Sequence, residues 1–254
     1  MKTKLTPATF VLCLLVVPTV LPGCRERPVP TAAELMTGAY ERPDFSGIEI
    51  AYSEAEHVQT LTGHGTEQHY LVQEPERLEP NAPILIYMHG ADGDETQGMD
   101  PEYADGTFAR LRSILYRHGW IYVTARIADF DGLKQELKAR YGPRPFVLSG
   151  SSLGGAQSLR EAMASPRAYA GVIVMCPALP MADAKPAKNL TMPVYIECGA
   201  NDVLIAEVSR KMADTMKRRR EPYVYVEIPG GTHRTPIEQI DWKRALDFVE
   251  AHRP

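Results

Sequence analysis

The chain has 254 residues, 44% of them apolar, with 28 basic and 32 acidic side chains and a formal net charge of -4. That length and composition suit one domain of the larger α/β kind, and the charge balance speaks against a nucleic-acid-binding surface. The one dense basic run, Lys217-Arg218-Arg219-Arg220, reads as the solvated last turn of a helix, where cations complement the dipole.

The N-terminus differs from the rest. Met1-Lys2-Thr3-Lys4 is a positive start, Phe10 to Val17 an apolar core, and Leu21-Pro22-Gly23-Cys24 follows. The apolar run is too short and Pro-broken to span a membrane, so it reads as a secretory signal. Its last four residues resemble the bacterial lipoprotein signal, which implies cleavage after residue 23 and a lipid-bearing Cys24 as the mature N-terminus. Several acyl chains would then hold the protein stably on a membrane. The alternative is a plain signal peptide cut nearby, giving a periplasmic or secreted soluble protein. Residues 24–45 read as a polar, Pro-containing tether, and 46–254 as the folded domain.

Along that domain, short apolar runs alternate with helical patterns. His69 to Gln73 is a weak early strand, and Ile84 to Met88 a strong one ending at His89-Gly90. Helical spacing covers Phe108 to Arg117, strand character Trp120 to Thr124, and a second helix Leu133 to Tyr141, closed by Gly142-Pro143. A strand at 146–149 leads into Gly150-Ser151-Ser152-Leu153-Gly154 and a helix at 153–163. Strands at 172–176 and 194–198, a helix at 206–219, a strand from Tyr223 to Ile228 and a helix from Ile237 to His252 complete the pattern. Near-continuous apolar strands alternating with helices predict an α/β fold, a mostly parallel sheet covered on both faces. Only 177–193 separates two of these strands, too little for a large lid domain, so the site is expected to be open.

In such sheets sites gather at the carboxyl ends of the strands, and four Gly-rich segments fall there. Gly150 to Gly154 has the G-x-S-x-G pattern between a strand and a helix, the setting of a nucleophile elbow. Ser152 occupies its tip; Ser151 is a rival at a flanking position. A serine hydroxyl needs a base. Among seven histidines, His233 in Pro229-Gly230-Gly231-Thr232-His233 follows the last strand and can reach over the sheet edge. The base needs an acid to orient it, and Asp202 in Cys198-Gly199-Ala200-Asn201-Asp202 is the candidate. Its other reading is a helix N-cap, and Asp183 and Glu197 are rival acids. Two backbone donors are expected for an oxyanion, the N–H of Leu153 and that of Ala91 in His89-Gly90-Ala91-Asp92-Gly93.

Residues from about 69 to 252 resemble an α/β-hydrolase, on Gly150-Ser151-Ser152-Leu153-Gly154, His89-Gly90-Ala91, Asp202 and His233 in that family's order. The likeness is closest to small esterases of the carboxylesterase, feruloyl esterase or dienelactone-hydrolase kind. The loop reads His-Gly-Ala-Asp-Gly, not the His-Gly-Gly-Gly of one lipase and esterase group. The resemblance implies a serine hydrolase acting on carboxylic esters, small or polymer-borne, with catalytic Ser152, Asp202 and His233 and no cofactor. A serine peptidase or acyltransferase with the same triad, or a non-catalytic binding lipoprotein, are the other readings. No Cys/His spacing suggests zinc. Cys176 and Cys198 each end a strand, as two buried thiols or, in an exported protein, a disulfide. Arg126 and Arg234 lie near the same edge, either as holders of an acidic substrate group or as ion-paired surface residues. Asp92, Asp94 and Glu95 put negative charge beside the oxyanion loop.

Overall fold

The computed structural model describes residues 57–63, 66–91, 93–126 and 129–254, with side chains from 69 onward except those of 185, 186 and 188. The expected signal, Cys24, the tether and Asp92 lie outside the described residues. Eight strands form one sheet: β1 (His57–Gly63), β2 (Thr66–Gln73), β3 (Ile84–Met88), β4 (Ile121–Arg126), β5 (Phe146–Ser151), β6 (Gly171–Met175), β7 (Val194–Gly199) and β8 (Tyr223–Ile228). Their order is β1-β2-β4-β3-β5-β6-β7-β8. The pairs β1–β2 and β2–β4 are antiparallel, and the pairs from β4 through β8 are parallel. The central strands are apolar throughout because both of their faces are covered.

The two faces carry separate cores. Ile84, Ile86 and Met88 of β3 point to one, with Leu133 and Leu137 of α2 (Phe130–Tyr141), Leu159 and Met163 of α3 (Ser152–Ala164), and Met212 and Met216 of α4 (Val203–Arg219). Leu85 and Tyr87 point to the other, with Phe108 and Leu111 of α1 (Tyr103–His118), Ile237 of α5 (Thr235–Gln239), and Trp242 and Val249 of α6 (Trp242–His252). Alternation along the strand sends successive side chains to opposite layers. Each buried Leu, Ile or Phe contributes about 1.5–3 kcal/mol.

The structure corrects several boundaries. An extra strand, β1, precedes the weak early strand and pairs with it at the sheet edge, so His57 belongs to the sheet. The helix expected over 237–252 is two helices. Ile240 leaves helical geometry, and the Asp241 side chain accepts from the Arg244 N–H at 3.0 Å, restarting the chain as α6. Helix α4 begins at Val203, three residues early, and Met181–Asn189 forms a 3-10 turn packed against α3 and α4.

Candidate active site

Ser152 stands where β5 ends and α3 begins. Its φ is 52°, in the left-handed region, which costs a residue with a Cβ about 1–2 kcal/mol. That turn is tight because α3 presses on the end of β3: a Cβ on Gly154 would collide with the Met88 and His89 carbonyls. Ser158 Oγ donates to the Ser149 carbonyl at 2.9 Å, tying α3 back to β5. Ser151 points the other way and meets the Tyr87 hydroxyl at 2.9 Å in the core, so the rival serine is a buried structural residue.

The loops after β7 and β8 are joined through backbone. The N–H of Ala200 donates to the Ile228 carbonyl at 2.9 Å and that of Asn201 to the Gly231 carbonyl at 2.8 Å. A Cβ on Gly199 would run into the Gly231 and Thr232 backbone, so the approach requires glycine. This contact brings Asp202 and His233 together. Asp202 Oδ2 lies 2.5 Å from His233 Nδ1, and His233 Nε2 lies 2.9 Å from Ser152 Oγ. A carboxylate only accepts, so Nδ1 carries the proton and Nε2 is left as acceptor for the serine hydroxyl.

Asp202 also occupies the N-cap position of α4, the other reading of this residue. Asp129 and Asp241, at the same position of α2 and α6, accept from the N–H three residues on. Asp202 makes no such bond; its side chain is committed to His233.

No protein-family model and no curated protein sequence matches the chain. In three dimensions it is similar to a thermostable esterase, at 15% identity and TM-score 0.62, over 78% of this chain and 63% of that one. It is similar to a ferulic acid esterase, at 11% identity and TM-score 0.60, over 79% and 99% of the two chains. It is also similar to the dienelactone hydrolase from Anabaena variabilis, at 12% identity and TM-score 0.58, over 78% and 98%. The fold is that of the α/β-hydrolases. The chain spans less than two thirds of the thermostable esterase, and at these identities the likeness is one of fold.

Within this α/β-hydrolase frame the remaining expected residues are found as follows. Gly90 follows β3 directly over the elbow, where a Cβ would stand 3.6 Å from that of Ser152. Ala91 is exposed in the turn that the Gly93 N–H closes onto the Gly90 carbonyl at 3.3 Å. Leu153 lies in the first turn of α3, where amides have no partner within the helix. His89 Nδ1 sits 2.6 Å from the Gly90 carbonyl, so this histidine braces the loop.

The rival acids are occupied elsewhere. Asp183 pairs with Arg160 at 2.9 Å. Glu197 is buried beside Tyr195, whose hydroxyl donates to Oε2 at 3.3 Å. Burial pushes its carboxyl up to about 8, against smaller lowering from Tyr195 and Arg244. Arg234 pairs with Glu238 at 2.9 Å. Arg126 is exposed at the end of β4. The Thr96 hydroxyl and amide hold the Asp94 carboxyl below its usual range, with smaller lowering from its neighbours, Arg126 among them. Arg126 therefore faces carboxylate as well as solvent.

Cys176 and Cys198 are free, buried thiols. Burial pushes them up to about 12 and about 11, so neither is a thiolate near neutral pH. Cys176, like Ser152, has a positive φ, 39°. Its N–H donates to the Glu197 carbonyl at 2.7 Å, continuing the β6–β7 ladder. Nothing in the sequence signalled this second left-handed residue. Among the described residues no group of His, Cys, Asp and Glu is arranged to hold a metal. A cleft of about 660 Å³ opens at the far edge of the sheet, between Lys134, Lys138, Arg144 and Arg167. It reaches the first residue of β5, whereas Ser152 follows the last, roughly 20 Å away at the rise of a strand.

Proposed function

We propose that this protein is a serine hydrolase that cleaves carboxylic esters through an acyl-enzyme on Ser152. The observation that carries the reading is the unbroken relay Asp202–His233–Ser152, with contacts of 2.5 and 2.9 Å, on a left-handed serine at the strand-to-helix turn. Ser152 Oγ attacks the ester carbonyl carbon while its proton passes to His233 Nε2. Asp202 holds Nδ1–H and stabilises the imidazolium that forms. The carbonyl oxygen becomes an oxyanion facing the N–H groups of Leu153 and Ala91. Collapse breaks the bond to the alcohol, which takes the proton from His233 and leaves. Water, deprotonated by the same imidazole, then releases the acid and restores the serine.

The test is hydrolysis of p-nitrophenyl acetate by the folded domain, beside Ser152→Ala. Turnover that vanishes in the variant supports the reading; turnover surviving it, or none in the wild type, overturns it. A peptide anilide panel and an added alcohol acceptor separate esterase from peptidase and acyltransferase, which share the triad. We further propose that the mature chain starts at Cys24 and is held to a membrane of a bacterial envelope by lipid. The support is Leu21-Pro22-Gly23-Cys24 after an apolar run. Metabolic labelling with a palmitate analogue tests it; label that persists in Cys24→Ser refutes the anchor.

A further inference from the structure

Among the described residues five large apolar side chains are exposed: Leu78, Leu153, Met181, Val203 and Leu204. Three of the five adjoin triad residues along the chain, and a fourth opens a turn that packs on the helices starting at Ser152 and after Asp202. Leu153, 48% exposed, follows Ser152 directly. Val203 and Leu204, 65% and 77% exposed, follow Asp202 directly. Met181, 38% exposed, opens the 3-10 turn that packs between α3 and α4. That turn is fixed to the elbow and to its helix at two points. The Ala178 N–H just before it donates to the Ser152 carbonyl at 2.9 Å, and Asp183 within it pairs with Arg160 of α3.

The His233 side of the site is polar. Asn201, Thr232 and Arg234 are exposed around His233. Asn201 Nδ2 donates to the Gly230 carbonyl at 3.1 Å, and Thr235 Oγ1 accepts from the Thr232 N–H at 2.9 Å. Helix starts favour polar and acidic residues, so Val203 and Leu204 at the start of α4 serve neither capping nor the core. They would gain only by covering something apolar.

We propose that this collar is the binding surface for the acyl chain of the substrate, making the preferred substrates esters of medium or long aliphatic acids. This rests on the ester-hydrolase reading above. The leaving alcohol must sit at His233, which returns its proton, on the polar bank. The acyl chain, bonded to the carbon that Ser152 attacks, extends the other way, across Leu153 and Met181 toward Val203 and Leu204. Among the described residues no large lid segment encloses the site, so these residues cover the chain on one side only. Fully burying a methylene would change binding about fourfold, and half-covering it about twofold.

The experiment measures kcat/KM for p-nitrophenyl esters from acetyl to decanoyl, below their aggregation limits, in wild type and in Val203→Ser/Leu204→Gln. Both side chains are largely solvated, so the variant keeps the fold, as circular dichroism and Tm would record. A parallel series of acetates varies the alcohol. The expected result is a rise of about twofold per methylene in the acyl series, to about octanoyl. The alcohol series is expected to stay flat, and the octanoyl-to-acetyl ratio to fall about tenfold in the variant. A flat acyl series, a rise confined to the alcohol series, or a rise that the double variant leaves intact overturns the proposal. So does loss, in the variant, of binding to phosphatidylglycerol vesicles with the chain-length profile unchanged, which would make the collar a membrane contact. Acetyl ester turnover, present in wild type and absent in Ser152→Ala, separates these outcomes from failure of the ester reading itself.

Discussion

The two edges of the sheet handle backbone in opposite ways. At the amino edge exposed polar groups are closed off. Arg144 donates to the carbonyls of Tyr141, Glu79 and Ala82 at 2.9, 2.7 and 3.2 Å. The left-handed positions of the connections there belong chiefly to residues that tolerate them, Gly119, Gly142 and Asn81, with Arg220 the exception. At the carboxyl edge left-handed geometry falls on Ser152, Cys176, Ala104 and Asp105 as well as on Gly106 and Gly230. There an N-cap aspartate leaves its helix uncapped, and apolar side chains face water. Local rules are obeyed where the molecule only has to hold together and broken where chemistry is proposed.

The comparison can be broken most strongly at Ser152. Ser152→Ala should lower kcat/KM for acetyl esters by roughly 10⁴-fold or more while the far-ultraviolet spectrum stays native. A fall of less than about tenfold would mean that the strained turn serves something else. Next comes Gly154→Ala, whose Cβ has only backbone to displace. It should cost about 3 kcal/mol or more, or prevent folding, read by urea unfolding.

Glu197 gives a pH test of the same edge. Its folded pKa of about 8 is above the ordinary carboxyl value, so the folded state holds this proton more tightly than the unfolded chain. The contribution to stability is full below about pH 4.5 and is lost as pH rises to about 8. Glu197→Gln should therefore flatten the decline in Tm between pH 5 and 8, leaving the variant's Tm higher relative to wild type at pH 8 than at pH 5. Parallel curves for the two proteins would show that Glu197 ionises without cost. The smallest effect concerns the left-handed residues themselves. Gly142→Ala, with nothing near its Cβ, should cost about 1–3 kcal/mol from backbone geometry alone. At the other edge Ser152→Gly should be more stable than Ser152→Ala by up to about 1 kcal/mol, the relief of strain exceeding the entropy of glycine. Equal stabilities for the two Ser152 variants would remove strain from the account.

Much of this architecture was legible in the sequence because parallel strands buried on both faces leave continuous apolar runs, and Ile84 to Met88 or Val194 to Cys198 read as nothing else. The site was legible because an elbow demands small residues at fixed spacing, which Gly150 and Gly154 supply. What the sequence did not reveal depended on long-range contact. Strand β1 has a weak pattern and exists by pairing with β2. Whether the Asp202 side chain caps its helix or meets a histidine depends on where His233 lies, and that follows from the close approach of Gly199 and Gly231. The break at Ile240 was announced by Asp241, whose capping role was submerged in an otherwise continuous helical pattern. Nothing in the sequence marks Val203 and Leu204 as exposed; the fold leaves them uncovered.

The central claim is that Ser152 is an activated nucleophile. Incubation of the folded domain with a fluorophosphonate, followed by intact mass and peptide mapping, tests it directly. The account predicts a single adduct on Ser152, absent in Ser152→Ala and formed roughly 10³-fold or more slowly in Asp202→Asn, where the histidine loses its orienting carboxylate. A folded wild-type domain that takes up no label, or takes it up on Ser151, would contradict it.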